Sequence, residues 1–285
     1  MAAPARIARY YDRSTERFLR MGQSGAALAI HRPLWAPGIS TPEAAAGHVN
    51  ALVAEAAEGA LGRAPDRVVD LGCGVGGTLM HLATRWLAAE MTGLTLSPRQ
   101  AALARRFAAG RGLAGRCRFH AADFLDPAAD TAPAELAIAI ESAVHAPSAA
   151  SFARAAAAHL RPGGVLIVVD DMLARPGTSL TAREARLVAQ FRRGWHLGHV
   201  ATAEEMTAAA DAAGLAPGAA RDLTGLLRLD RLRDRLLRPV GPLAAALGLA
   251  SVPLFANMIG GNALTCAYRG GIMRYRLLAF RKAAP

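Results

Sequence analysis

The chain is poor in lysine, cysteine and aromatic residues: of 285 residues, Lys282 is the only lysine, three are cysteines and 5% are aromatic. With one lysine among 33 basic residues, the net charge of +11 is almost wholly arginine, so it reflects compositional habit as much as a partner. Charge alone therefore does not indicate nucleic acid, and scarce aromatics leave few platforms for base stacking. Cys73, Cys117 and Cys266 cannot all pair and lack metal-ligand spacing, which favours a reducing, cytoplasmic setting and argues against zinc. The N-terminal MAAPARIARYYDR has no apolar run of the signal-peptide kind. From Pro239 to Tyr268 no residue is charged, yet Pro239, Gly241, Pro242, Gly248, Pro253, Gly260 and Gly261 interrupt the span of roughly 20 apolar helical residues that a bilayer crossing needs. What remains is ample core material: 53% hydrophobic and 19% charged residues fit one large domain and exclude disorder, collagen and a disulfide mini-protein.

Residues 1–61 read as a helical preamble, with Thr41 as N-cap, Pro42 at the first helical position and an alanine-rich helix to about Leu61. From Asp66 short apolar runs alternate with helices: RVVDL, a helix to about Ala89, EMTGLTL, a helix opened by Ser97-Pro98, RCRFH, ELAIAI, a helix from Pro147 to Leu160, and GVLIVVDD. Such alternation predicts an α/β domain over 62–285 with a doubly wound, Rossmann-like parallel sheet. Thr202 and Glu205 form a capping box, and GIMRYRLLAFRK reads as the last strand. Residues 172–200 and 224–270 fall outside the alternation and follow strands, so they are expected to form a helical cap over a ligand at the carboxyl edge of the sheet.

VVDLGCGVGG places Asp70 at the end of the first strand and Gly72, Gly74, Gly76 and Gly77 in the turn to a helix, where backbone can approach a ligand. The spacing also satisfies the dinucleotide fingerprint. Against a dinucleotide, Asp70 would repel a pyrophosphate, and the second strand ends in Thr95-Leu96-Ser97 where an acid for the ribose is usual. Asp70 suits a cationic amino-acid moiety instead.

This pattern resembles class I S-adenosylmethionine (SAM) methyltransferases. HAADFLD, IESAVHAP and LRPGGVLIVVDD extend the resemblance to this superfamily over residues 66–171, and GLTLSPRQAALA resembles the second motif of the subgroup with sterol, tocopherol and geranyl diphosphate methyltransferases and cyclopropane fatty acid synthases. The resemblance implies SAM as cofactor, with Asp70, Gly72 and Gly74 at its amino-acid end, Thr95, Ser97 and Gln100 near the ribose, and Asp123 and Phe124 at the adenine. YYD and LWAPG resemble the segment that closes over the cofactor in this subgroup, which makes Tyr11 a contact; simple packing of the two tyrosines is the alternative. Glu141 matches the glutamate of the NES or IES signature, and the resemblance implies that it stabilises and deprotonates a carbocation. His145 would assist, or would serve as base for an oxygen or nitrogen acceptor. The plain alternative for Glu141 is a helix cap or an arginine pair, and for His145, as for His196 and His199, hydrogen-bonded scaffolding.

The expected acceptor is a hydrophobic small molecule methylated at carbon, an isoprenoid resembling a prenyl diphosphate; Mg²⁺ enters only if a diphosphate is present, since no aspartate-rich motif demands it. Trp35, Phe191, Trp195, Phe255 and Tyr268 are the aromatics expected near a developing cation, with core packing as the alternative. Residues 221–285 carry eleven Arg or Lys against three Asp. Arg228, Arg231, Arg235 and Arg238 line one face of LLRLDRLRDRLLR, a solvated face or one for peripheral membrane contact. Rival readings are O- or N-methylation of a polyketide or aromatic compound, modification of membrane lipid, and a non-catalytic binding module.

Overall fold

The computed structural model describes residues 3–21, 28–126, 131–229 and 253–284. Seven strands, β1 (Arg67–Leu71), β2 (Glu90–Thr95), β3 (Cys117–Ala121), β4 (Ala134–Ile140), β5 (Leu160–Leu173), β6 (Leu215–Asp222) and β7 (Met273–Lys282), form one sheet in the order 3-2-1-4-5-7-6. The first five are parallel, and β7 lies antiparallel between β5 and β6. The order reverses between β1 and β4, which opens a crevice at the carboxyl ends of those two strands.

Side chains alternate across the sheet, so two cores form. Val68, Ile138 and Ile167 face one core with Val53 and Leu82; Val69, Ala137 and Leu166 face the other with Phe152 and Met206. The helices are α1 (Ala3–Met21), α2 (Pro42–Leu61), α3 (Gly77–Arg85), α4 (Pro98–Gly110), α5 (Ala149–Ala158), α6 (Ala182–Trp195), α7 (Ala203–Asp211) and α8 (Pro253–Arg269). Local chemistry sets their starts: Thr41, Ser97, Ser148, Thr181 and Thr202 accept from backbone N–H groups in the first turns of α2, α4, α5, α6 and α7.

The sheet is mixed rather than wholly parallel, because its last two strands run against the rest. Strand β6 is not anticipated by the alternation: it is an edge strand with seven exposed residues, Pro217 and Gly218, and a register shift. The segment expected as an insertion from 172 begins inside β5, which pairs with β7 as far as Leu173. Helix α6 follows and packs on α8 at close range, since a Cβ on Gly194 would lie 2.8 Å from Gly260 Cα. Arg231, Arg235 and Arg238 of the basic face, and residues 239–252 of the uncharged stretch, lie outside the described residues.

Candidate active site

At the carboxyl end of β1 the chain turns through Gly72 and Gly74 into α3, both glycines having positive φ. Gly72, at φ +105°, runs so close to the residues after β4 that a Cβ there would lie 2.4 Å from Ser142 Cβ. Ser142 in turn donates from Oγ to the Leu71 carbonyl, fixing this turn against the end of β4. Asp70 lies at 3% exposure just before the turn, and burial alone pushes its carboxyl up to about 7.

The crevice leads into a cavity of about 120 Å³ lined at one end by Gly72, Gly74, Thr95, Leu96, Gln100 and Phe124. Helix α1 crosses this end and is pinned to α4. Thr95 Oγ1 donates to Gln100 Oε1 at 2.7 Å, and Gln100 Nε2 donates to Thr15 Oγ1 at 3.1 Å. Ser97 Oγ caps α4 and donates to Asp12, while Arg99 pairs with Glu16. Thus Thr95 and Gln100 line the cavity as part of a polar chain to α1, whereas Ser97 is occupied between helices.

At the other end stand Tyr11, His31, Arg32, Glu141, Val144, His145, Asp171, Phe191 and Trp195. Glu141 has φ +52°, a left-handed conformation that costs a non-glycine residue roughly 1–2 kcal/mol. Its surroundings determine it fully: Glu141 N donates to Val169 O, while Oε1 accepts from Arg32 N at 2.8 Å and from Tyr275 Oη at 2.9 Å. The Arg32 guanidinium lies 3.0 Å from Glu141 Oε1 and 2.9 Å from Asp171 Oδ2, and Tyr268 donates to Asp171. Backbone strain held in place by this many partners is characteristic of functional positions.

Burial is the largest influence on the protonation of these groups, and neighbouring charges come second. Burial pushes Asp171 up to about 6, with Arg32 opposing. Neighbouring Asp170 is raised well above the usual carboxylate range by burial and by Asp171. Burial holds His145 down at about 4, so its imidazole is neutral at pH 7. Its Nε2 meets Tyr11 Oη at 2.8 Å, and burial raises the Tyr11 phenol, which therefore keeps its proton.

Of the residues singled out from sequence, Tyr11, Gly72, Gly74, Thr95, Gln100, Phe124, Glu141, His145, Phe191 and Trp195 meet at this cavity. Asp70, Ser97, Asp123, Trp35, Phe255 and Tyr268 do not line it. Asp123 Oδ1 accepts from Leu125 N in a local turn. Trp35 lies under the Arg228 guanidinium, 3.5 Å from the ring centre. Tyr268 stands behind Asp171. Arg32, Asp171, Tyr275 and His31 were not singled out; for Asp171 the doubled acid of VVDD at a strand end was the available signal.

Residues 68–164 match the methyltransferase domain family. The chain is similar to the tocopherol O-methyltransferase of Arabidopsis thaliana, 40% identical over 103 residues that are 36% of this chain and 29% of that one. It is similar also to a sterol 24-C-methyltransferase of Neurospora crassa, 30% identical over 165 residues, 58% of this chain and 41% of the other. It therefore spans less than half the length of either relative. In fold it resembles the geranyl diphosphate C-methyltransferase of Streptomyces coelicolor in complex with Mg²⁺, geranyl diphosphate and S-adenosyl-L-homocysteine (SAH), with a TM-score of 0.71, 21% identity and coverage of 99% of this chain and 98% of that one. Residues 68–164 are accordingly a methyltransferase domain, in a chain with the fold of class I SAM-dependent methyltransferases.

Proposed function

We propose that the protein transfers the methyl group of SAM to a carbon of a hydrophobic, isoprenoid acceptor. The observation that carries this reading is that a single cavity joins the glycine turn, Thr95 and Phe124 to Glu141, Phe191 and Trp195. The first set offers backbone, hydroxyl and aromatic surface to an amino acid, a ribose and an adenine; the second offers apolar and aromatic walls beside a carboxylate. When bound, SAM supplies an electrophilic methyl group, so alignment is the protein's main task.

As the acceptor alkene forms its new carbon–carbon bond, positive charge develops on the neighbouring carbon. The Glu141 carboxylate and the faces of Tyr11, Phe191 and Trp195 stabilise that charge. Glu141 then accepts the proton whose loss restores a double bond, while Arg32 and Tyr275 hold its carboxylate in place. SAH is the second product.

Methylation of a hydroxyl is the second reading, favoured by the 2.8 Å contact between Tyr11 and His145. Neutral His145 has the protonation state of a base, and an acceptor hydroxyl replacing that of Tyr11 would present its proton to Nε2. Incubation with ¹³C-methyl SAM and ten- and fifteen-carbon prenyl alcohols and diphosphates separates the two readings. A methyl resonance in the aliphatic region supports carbon transfer; a methoxyl resonance supports the hydroxyl, and label in neither product removes the isoprenoid acceptor. No helix among the described residues is long and apolar enough to cross a membrane.

A further inference from the structure

The polar groups beyond Glu141 suggest which acceptors the cavity admits. We propose that Arg32, Glu141 and Asp171, the two carboxylates held from behind the cavity wall by Tyr275 and Tyr268, form a head-group subsite for an uncharged hydroxyl on the acceptor and discriminate against a diphosphate. The inference rests on reading this end of the cavity as the acceptor site.

Ile30, Ile140, Val144, Phe191 and Trp195 make much of the lining apolar, so the cluster is its polar end. Arg32 is the only arginine or lysine among the described residues that line the cavity. Its charge is already met, with Nη1 3.0 Å from Glu141 and 2.9 Å from Asp171. The two tyrosines add no charge: they donate to the same carboxylates, and their burial keeps the phenols protonated. His31 and His145 are both lowered by burial and do not supply a cation near neutrality.

The cluster thus has one more carboxylate than cation. A diphosphate would bring further negative charge to a site screened from water, where no free cation among these groups compensates its desolvation. A hydroxyl suits the same groups, because it donates to a carboxylate and accepts from a guanidinium. Glu141 and Arg32 keep 22% and 24% exposure of their side chains, which leaves both available to it. An ammonium would be attracted by the excess carboxylate but has no lone pair for Arg32.

The test uses the full chain saturated with SAH and two ligand series, each with an alcohol, an amine and a phosphate head. One is the ten-carbon prenyl alcohol, amine and diphosphate; the other is naphthylmethyl alcohol, amine and phosphate. Affinities are measured by calorimetry with and without Mg²⁺, and the tighter-binding series decides. The alcohol is expected to bind at least about tenfold more tightly than either charged analogue, and Glu141→Gln, which leaves Arg32 one carboxylate, to narrow the gap to the phosphate. A phosphate or amine that equals or exceeds the alcohol overturns the proposal, as does failure of every ligand to bind. Binding of the naphthyl series alone, with the alcohol preferred, supports the subsite and overturns the isoprenoid chain instead. Should Glu141→Gln fail to fold by its melting profile, the comparison within the wild type still decides.

Discussion

The two ends of the cavity are built differently. The glycine turn is defined by backbone: Gly72 and Gly74 have positive φ, and Gly72 has no room for a side chain. The Glu141 end is defined by side chains from distant parts of the chain: Arg32, before α2, pairs with Glu141 and with Asp171 on β5, Tyr275 on β7 donates to Glu141, and Tyr268 on α8 donates to Asp171. A backbone turn accepts little variation and can serve one cofactor across many proteins. A side-chain cluster can be rebuilt residue by residue, which suits the acceptor-selecting role proposed for it.

The largest effect that separates the two ends is expected at the turn. Gly72→Ala forces a Cβ into Ser142 and a side chain into left-handed backbone, and should abolish measurable SAM binding while lowering stability by roughly 2–4 kcal/mol in denaturant unfolding. At the other end, Tyr275→Phe removes one donor to Glu141 and should lower turnover about tenfold with SAM affinity unchanged, in line with a lost hydrogen bond to a charged group of about 1.5 kcal/mol.

The pH dependence of SAM affinity sharpens the comparison further. Asp70, pushed up to about 7, is largely neutral below that pH, and a contact with the amino group of SAM, as the family resemblance implies, would attract that group only once Asp70 is ionised. Affinity should therefore fall as pH drops through 7, by up to about tenfold per unit, and Asp70→Asn should flatten the titration curve. The smallest effect is expected at the pin between α1 and α4. Asp12→Ala loses the bonds from Ser97 Oγ and Arg99 N and should weaken SAM binding only about three- to tenfold in an equilibrium titration.

The same contrast explains what the sequence makes legible. Strands β1 to β5 and the start of α2 follow from short-range signals: apolar runs, Thr41-Pro42, and glycines after a strand-end acid. Ser97 has the local signature of an N-cap, and that chemistry engages it along with Asp12. Arg32 has no local signature, because its meaning comes from two carboxylates more than a hundred residues away. Tyr275 reads as one more position in an alternating strand, and β6 escapes notice because an exposed edge with Pro217 and Gly218 lacks the alternation of a half-buried strand. The Arg32 pairing partly realises the plainer alternative for Glu141, yet it leaves that carboxylate at the cavity wall.

The most direct measurement is single-turnover methyl transfer by Glu141→Gln to whichever acceptor the labelled assay identifies, alongside calorimetric SAM affinity for the same variant. If Glu141 stabilises the cation and takes its proton, the transfer rate falls about 10²- to 10⁴-fold while SAM affinity stays within about twofold. A variant that binds SAM normally and transfers the methyl at the wild-type rate would contradict the central role assigned to Glu141.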